Sequence, residues 1–240
     1  MGDELTEQST GATATEVPGD LSRYDVGQFE DGAAYSKALG TDSPLHPAVH
    51  GAAYMLWALG IVGDDKTPIR LVQALDELTA GRAIDPARHL AVRFPSVASV
   101  HELQRSLATE PTLVMVTDVP FASVCEHHML PFTGVATVAY LPKAGGEIVG
   151  LSKLARLVQE YAARPQVQER LTYQVVAALM DTLKPLGAAC AVRGVHSCMA
   201  LRGARTGGHA AMVTVNRAGD LENAPWRDDF NAALNTAAWR

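Results

Sequence analysis

The sequence LVMVTDVPFASVCEHHMLPFTGVATVAYL, residues 113–141, predicts two β-strands joined by a polar connection. Residues 113–119 and 133–141 are rich in valine, threonine and tyrosine, which favour strands. The connection at 123–132 contains Cys125, His127 and His128 within four positions. Side chains of these types bind metal ions and exchange protons near neutral pH. The connection is therefore the strongest candidate for a functional site.

Helices are predicted on both sides of this strand pair. From apolar periodicity and breaker residues, the helices are 46–61, 67–80, 97–108, 152–163, 165–183 and a last one from about residue 225. Thr67, Ser152 and Pro165 are typical residues for a helix start. Two further strands are predicted at 188–201 and 210–215. Helices first, followed by strands interrupted by a helix pair, predict an α+β fold rather than alternating α/β.

Length and composition fit one sizeable domain with a short appendage. The chain has 240 residues, 48% of them hydrophobic, and a formal net charge of -6. Because an acidic chain lacks a basic face in bulk, binding to nucleic acid or to a membrane surface is not expected. The three cysteines, the absence of a secretory leader pattern and the absence of a membrane-length apolar run predict a reduced, cytoplasmic protein.

The chain divides into three predicted regions. Residues 1–40 are rich in glycine, threonine, serine and acidic residues, a composition that predicts disorder. Residues 41–110 form a predicted helical segment. Residues 111–240 form the predicted catalytic domain, which contains the strands.

A metal site is predicted from two separate stretches. Cys125 and His128 are three positions apart in a tight connection, so both side chains can turn toward one ion. Alternation along the strand at 188–201 places His196, Cys198 and, if the strand runs on, Arg202 on the face opposite its apolar residues. Three ligands, Cys125, His128 and Cys198, with an open fourth position are typical of catalytic zinc.

Other uses of these side chains stay open at this point. The zinc could be structural and closed, with His127 or His209 as the fourth ligand. Cys190 lies eight residues before Cys198, about 26 Å along an extended strand, so it is predicted to be a buried apolar residue instead of a ligand. A disulfide between Cys125 and Cys198 is disfavoured in a reducing compartment.

An anion site is predicted at the start of the helix at 152–163. Lys153 and Arg156 lie in its first turns, where the helix dipole disfavours cations unless an anion binds there. Arg164 and Arg202 are further cations that could join a polyphosphate pocket. Glu169 fits equally well as a surface acid or as a carboxylate that accepts two hydrogen bonds from a guanine edge.

Four motifs in one order make the chain resemble the GTP cyclohydrolase I family. They are CEHH at 125–128 with PF at 131–132, GLSK at 150–153 with Arg156, RPQVQERLT at 164–172, and HSC at 196–198 with RG at 202–203. An upstream TPIR at 67–70 and ELT at 77–79 also fit the family. The resemblance covers about residues 45–235, and four ordered motifs make it highly specific.

The resemblance implies a fold, an assembly and a set of roles. The fold is the tunnelling fold, in which antiparallel sheets from several subunits form a barrel; the assembly is a decamer of two pentamers with active sites at subunit interfaces. Zinc binding falls to Cys125, His128 and Cys198, and acid–base catalysis to His127 and His196. Guanine recognition falls to Glu169 with Gln168, and triphosphate contacts to Ser152, Lys153, Arg156, Arg164 and Arg202.

The implied reaction is a hydrolysis with Zn²⁺ as its cofactor. The imidazole ring of GTP opens at C8, formate leaves, and rearrangement of the ribose followed by ring closure gives 7,8-dihydroneopterin 3'-triphosphate. Zinc supplies an activated water, and a histidine with a pKa near neutrality can protonate the ring nitrogen.

One stretch departs from the family pattern. Residues 205–214 read RTGGHAAMVT, where the family usually has a strand rich in serine and threonine. One alternative is therefore a specialised purine-nucleotide cyclohydrolase of a secondary pathway, with an altered substrate or product. Another is a zinc-stabilised oligomeric binding protein without turnover. His127 and His196 speak against this last alternative, because a structural zinc needs neither.

Overall fold

The computed structural model describes residues 46–61, 64, 66–95, 112–143 and 146–235. The chain forms two compact units, and the boundary between them falls after Leu75. The tail predicted at 1–40 and the helix predicted at 97–108 lie outside the described residues. No helix in the described ranges is long and apolar enough to cross a membrane.

The described part of the first unit is helical. Its helices are α1 (His46–Ala58) and α2 (Thr67–Leu78), the second of which runs past the boundary. Val49, Ala52, Ile69 and Val72 pack into a small buried apolar cluster.

A carboxylate lies beside the start of α2. Asp64 accepts hydrogen bonds from the Lys66 backbone N–H at 2.9 Å and from the Thr67 hydroxyl at 3.3 Å. The Thr67 hydroxyl thus donates to Asp64, and the helix begins at Thr67 itself, so the prediction of Thr67 as N-cap is wrong.

The second unit is built on an antiparallel sheet. In chain order its elements are the 3₁₀ helices Ala80–Ala83 and Pro86–Leu90, β1 (Arg93–Pro95), β2 (Val114–Cys125), β3 (Pro131–Leu141), β4 (Glu147–Val149), α3 (Leu151–Ala162), β5 (Pro165–Gln166), α4 (Gln168–Leu183), β6 (Gly187–His196), α5 (Ser197–Ala200), β7 (Met212–Gly219), the 3₁₀ turn Asp220–Glu222 and α6 (Trp226–Ala233). Five strands pair in the order β5-β2-β3-β6-β7, antiparallel except for β5 beside β2, while β1 pairs with β4. The predicted α+β class is confirmed.

Helices α3 and α4 lie on one face of the sheet. Their buried positions recur at helical spacing, which gives each helix one apolar side. These positions are Leu154, Leu157 and Val158 on α3, and Leu171, Val175 and Leu179 on α4. On the other face, Leu221 and Phe230 pack against buried sheet residues. The core thus has a layer on each side of the sheet, and one end of the sheet carries the site.

The connection between β2 and β3 is shorter than predicted. β2 continues through Cys125 and β3 begins at Pro131, so the turn is confined to 126–130 and the predicted connection at 123–132 is wrong at both ends. Ser123 pairs with Phe132 and Val124 with Pro131, which extends the ladder to the turn. Cys125 is therefore held at the end of a strand.

Two other boundaries were predicted wrongly. β6 ends at His196 and the one-turn helix α5 follows, so residues 197–201 are not strand. The last β3 partner of β6 is Phe132, and the next residue, Pro131, has no N–H to extend the ladder. Pro165 does not open a helix, because Pro165 and Gln166 pair with β2 and α4 begins at Gln168.

Candidate active site

The turn after β2 is closed by its own backbone. The Cys125 N–H donates to the Leu130 carbonyl at 2.8 Å, and the Cys125 carbonyl accepts from the N–H groups of His128 and Met129 at 3.3 and 2.8 Å. Met129 adopts a positive φ of 53°, which reverses the chain toward β3. These bonds place the side chains of Cys125 and His128 on one side of the turn, with the Cys125 Sγ atom 3.9 Å from the His128 Nδ1 atom.

Cys198 reaches the same point from β6. Pairing of Phe132 with His196 brings the end of β6 beside the turn, and α5 begins immediately after it. The Sγ atoms of Cys198 and Cys125 are 3.8 Å apart, and the ligand atoms of Cys125, His128 and Cys198 all lie within 4.8 Å of one another. The strand alternation used to place Cys198 was wrong, yet the helical turn brings it to the predicted group.

The spacing of these atoms fits a tetrahedral ion. Two sulfurs at about 2.3 Å from zinc in tetrahedral geometry lie about 3.8 Å apart. The observed separation of the Cys125 and Cys198 sulfurs agrees with this value. Among the described residues, no fourth histidine, cysteine or carboxylate joins the group. His127 is exposed, and its ring centroid lies 6.3 Å from that of His128 in an edge-on arrangement. The three side chains could hold a metal ion and leave one coordination position open.

The cysteines differ in their surroundings. Burial and the neighbouring Cys125 thiol raise the pKa of Cys198 above its ordinary value, while the Arg202 guanidinium acts in the opposite direction. Arg202 therefore lies close enough to the group to influence it. Cys190 is fully buried in the core, and burial raises its pKa to about 12. As predicted, Cys190 is an apolar core residue and stands apart from the group.

His196 is held on two sides next to these ligands. Its ring stacks on Phe132 with centroids 4.1 Å apart and planes 7° from parallel. Its Nε2 atom lies 2.9 Å from the Gln168 Oε1 atom. Burial lowers the pKa of His196, and the nearby Glu169 carboxylate acts against that shift. The structure therefore brings His196 and Glu169 near one another.

Gln168 does not face outward as a recognition residue would. Only 1% of Gln168 is exposed, and its Nε2 atom donates to Val192 and Met212 carbonyls and to the Thr214 hydroxyl. Sequence reasoning missed this internal role. The available signal was Gly194, since an isolated glycine within a strand indicates close approach of another group.

The residues predicted to hold phosphate are only partly grouped. Ser152, Lys153 and Arg156 lie in the first turns of α3, where Gly150 is the N-cap, so the prediction of Ser152 as N-cap is wrong. Within the described ranges, Lys153 and Arg156 take part in no ion pair. Arg164 follows the other end of this 12-residue helix, about 18 Å away.

Arg164 is engaged in internal contacts. Its Nη2 atom donates to the carbonyls of Gly81 at 2.7 Å and Ile84 at 3.1 Å. Its guanidinium carbon also lies 5.2 Å from the centroid of the Tyr161 ring. These contacts tie the end of α3 to the 3₁₀ segment, so the structure does not bring Arg164 to Lys153.

A salt bridge supports the turn from outside. The Arg170 guanidinium pairs with the Glu126 carboxylate and lowers its pKa. The Glu126 N–H donates to the Gln166 carbonyl at 3.0 Å. The turn is thus bonded both to β5 and to the first turn of α4.

Comparisons with known proteins agree with this arrangement. The family model described as GTP cyclohydrolase I matches residues 62–235. The chain is 41% identical over 187 residues to GTP cyclohydrolase 1 of Rhodopirellula baltica, covering 75% of this chain and 76% of that protein. It is 40% identical over 179 residues to GTP cyclohydrolase 1 of Halalkalibacterium halodurans, covering 72% and 87%. A GTP cyclohydrolase 1 of a Geobacillus species is 43% identical over 151 residues, covering 63% and 73%. The chain therefore belongs to the GTP cyclohydrolase I family.

Proposed function

We propose that this protein opens the imidazole ring of GTP at C8 by hydrolysis, releases formate and forms 7,8-dihydroneopterin 3'-triphosphate. The observation that carries the proposal is the group formed by Cys125, His128 and Cys198, whose sulfurs lie at the separation expected across a tetrahedral ion. Its place within the sequence range matched by the family supports the same reaction.

Zinc is the metal that fits this donor set. Two thiolates and one imidazole with an open fourth position are typical of catalytic zinc, and closed structural sites normally use four protein ligands. When bound, zinc supplies Lewis acidity and an activated water near neutral pH. The chain's own contribution is to fix the three ligands by the backbone of the turn and by α5.

His196 is the proposed proton donor and acceptor at the purine ring. Its sequence position, two residues before Cys198, and its stacking on Phe132 hold the imidazole next to the metal ligands. An imidazole exchanges protons near neutral pH, which is what a ring nitrogen requires as the C8 bond breaks. His127, exposed in the turn between two ligands, is the second proposed acid–base group.

Glu169 is the proposed reader of the guanine edge. It is exposed in the first turn of α4 and, within the described ranges, forms no ion pair. A carboxylate with both oxygens available can accept two parallel hydrogen bonds from the guanine N–H groups. Its influence on His196 supports a position beside the reacting base.

Ser152, Lys153, Arg156 and Arg202 are the proposed triphosphate residues. No side chain caps the α3 N-terminus, where Gly150 is the N-cap, and the start of a helix is a favourable place for an anion. Arg202 lies near Cys198 and would bridge between metal and phosphate. Arg164 is left out of this set, because its guanidinium is used by the Gly81 and Ile84 carbonyls.

The active form is proposed to be an oligomer with the tunnelling fold, a decamer of two pentamers. In support, β7 is at the edge of the described sheet and exposes Val213 and Val215, which are 54% and 37% accessible. An exposed apolar edge strand is a site for pairing with another chain.

A second candidate function is a cyclohydrolase of another purine nucleotide or one that stops at an earlier product. The specific observation is that the Met212 carbonyl and the Thr214 hydroxyl accept hydrogen bonds from Gln168, which itself contacts His196. The stretch that departs from the family therefore lies two hydrogen bonds, through Gln168, from a proposed catalytic histidine. Changes there can alter later steps without touching the metal ligands.

One experiment separates these functions. Zinc-loaded protein is incubated with GTP, with ITP and with ATP, and formate and fluorescent pterin are measured after oxidation. Formate and pterin in equal amounts from GTP would support the main proposal. Formate without pterin, or a preference for another nucleotide, would support the second candidate. Bound zinc without formate from any of them would refute both.

A further inference from the structure

Gln168 is buried in a fully bonded pocket at the start of α4. Its Nε2 atom lies 3.2 Å from the Val192 carbonyl, 3.0 Å from the Met212 carbonyl and 3.2 Å from the Thr214 hydroxyl oxygen. Carbonyl oxygens only accept hydrogen bonds, so the two carbonyls must face the NH₂ end of the amide. The orientation of the Gln168 amide is thereby fixed by β6 and β7.

The other end of the amide then determines how His196 is bonded. The Gln168 Oε1 atom, which can only accept, lies 2.9 Å from the His196 Nε2 atom. A hydrogen must therefore reside on Nε2, and Nδ1 is the ring nitrogen left for other partners. A reversed amide would place its oxygen against two carbonyl oxygens and lose both hydrogen bonds.

The backbone keeps space for this contact. A Cβ atom on Gly194 would lie 2.6 Å from Gln168 Oε1 and 3.5 Å from the Phe132 ring. Real Cβ atoms essentially never come within 3.0 Å of another atom, so any larger residue at 194 would displace the amide, whereas 3.5 Å from the Phe132 ring is an ordinary contact. The glycine thus keeps the hydrogen-bonded support of His196 in place.

We infer that Gln168 is the positioning residue of His196 and not a reader of the guanine base. It fixes the His196 ring in the tautomer with hydrogen on Nε2 and presents Nδ1 to the substrate, and Gly194 is required for that contact. This inference rests on the proposed function for its catalytic consequence. The tautomer and the hydrogen bond themselves can be observed without turnover.

The first test observes the His196 ring directly. Zinc-loaded protein labelled with ¹⁵N-histidine is examined by proton-detected solid-state NMR, and His196→Gln identifies the signal. We expect a solvent-protected Nε2–H in the wild type that is lost to exchange in Gln168→Met and in Gly194→Ala. Gln174→Met is the matched control, because this half-buried glutamine on α4 bonds to Gln166 instead. Hydrogen on Nδ1 in the wild type, or a signal unchanged in Gln168→Met, would overturn the inference.

The second test uses kinetics to distinguish positioning from base recognition. Gln168→Met should lower kcat by about 10- to 100-fold, which is less than the decrease expected for His196→Ala, where the ring itself is removed. KM should change less than about twofold. If Gln168 is a positioning residue, its replacement should lower kcat by the same factor with GTP and with ITP, which lacks the 2-amino group. A loss specific to GTP, or one confined to KM, would show that Gln168 reads the base and would overturn the inference.

A double variant tests whether Gln168 acts through His196. If it does, adding Gln168→Met to His196→Ala should change single-turnover formate release by less than about twofold. A further tenfold loss would mean that Gln168 acts independently. If the wild type releases no formate but shows the protected Nε2–H, the proposed function fails and the positioning contact stands. If the wild type turns over GTP and the variants behave as base readers, the function stands and the inference fails.

Discussion

Replacing the three cysteines one at a time separates the proposed metal ligands from the core thiol. Cys125→Ala or Cys198→Ala removes one of two sulfurs that are 3.8 Å apart, and the two remaining ligands hold zinc poorly. Cys190→Ala removes a sulfur that is fully buried and outside the group. All three substitutions have the same chemistry, so they differ only in where the thiol lies.

The expected loss of stability differs between the two proposed ligand cysteines and the core cysteine. A bound ion stabilises the fold by about 2.7 kcal/mol when free zinc is about 100-fold above its Kd, and a ligand variant loses this term. Cys190→Ala loses packing around one buried atom, which costs about 1 kcal/mol, and its zinc site stays intact. Wild type and Cys190→Ala should bind about one zinc per chain, and the ligand variants less than about one tenth of that.

The assay combines zinc content by elemental analysis with thermal unfolding before and after a chelator. Chelation should lower the Tm of the wild type and of Cys190→Ala, and should leave the Tm of Cys125→Ala and Cys198→Ala unchanged. Equal zinc loss in all three variants would refute the assignment, and so would full zinc content in Cys198→Ala.

Five further variants test the other proposed roles. Lys153→Ala and Arg156→Ala should raise the KM for GTP and weaken its dependence on salt, since each removes a cation facing phosphate; equal turnover of guanosine and GTP would contradict this. Arg164 is the contrasting cation: Arg164→Ala should lower stability by about 1.5–3 kcal/mol through loss of its two carbonyl contacts, with little change in KM. A rise in KM like that of Lys153→Ala would show that Arg164 does contact phosphate. Glu169→Gln should cost more with GTP than with ITP, and equal losses would mean that it does not read the guanine edge. His196→Ala should keep the zinc and lower turnover by about 10²–10⁴-fold, and either zinc loss or full activity would count against its role.

The strands and the fold class were accessible from the sequence because their signals are local. Valine, threonine and tyrosine in 113–119 and 133–141 predicted β2 and β3, and the order of elements predicted α+β. The end of β6 was not accessible in this way. Continued as a strand, the sequence placed Met199 and Leu201 on the face of Val195 and Cys198 on the face of His196, yet the ladder stops because β3 reaches back only to Pro131.

The metal ligands were predictable as residue types, although their geometry was not. Cys125 and His128 are close in sequence, so their spacing indicated a shared ion. Cys198 joins them through a helical turn that periodicity did not indicate. The burial of Gln168 was not accessible from the sequence, because no local pattern reveals that this side chain points into the sheet while its neighbour Glu169 is exposed. That difference depends on contacts with β6 and β7, far away in sequence.

The two-residue strand β5 acts as a spacer between the proposed metal ligands and Glu169, the proposed reader of the guanine edge. Its Gln166 carbonyl accepts the N–H of Glu126 in the metal turn, and α4 with Glu169 begins two residues later. One inserted residue between β5 and Glu169 would turn that carboxylate by about 100° around the α4 axis while the metal turn stayed fixed. Base preference is therefore expected to change between relatives by substitution of side chains along α4. Insertions and deletions between β5 and Glu169 should be selected against.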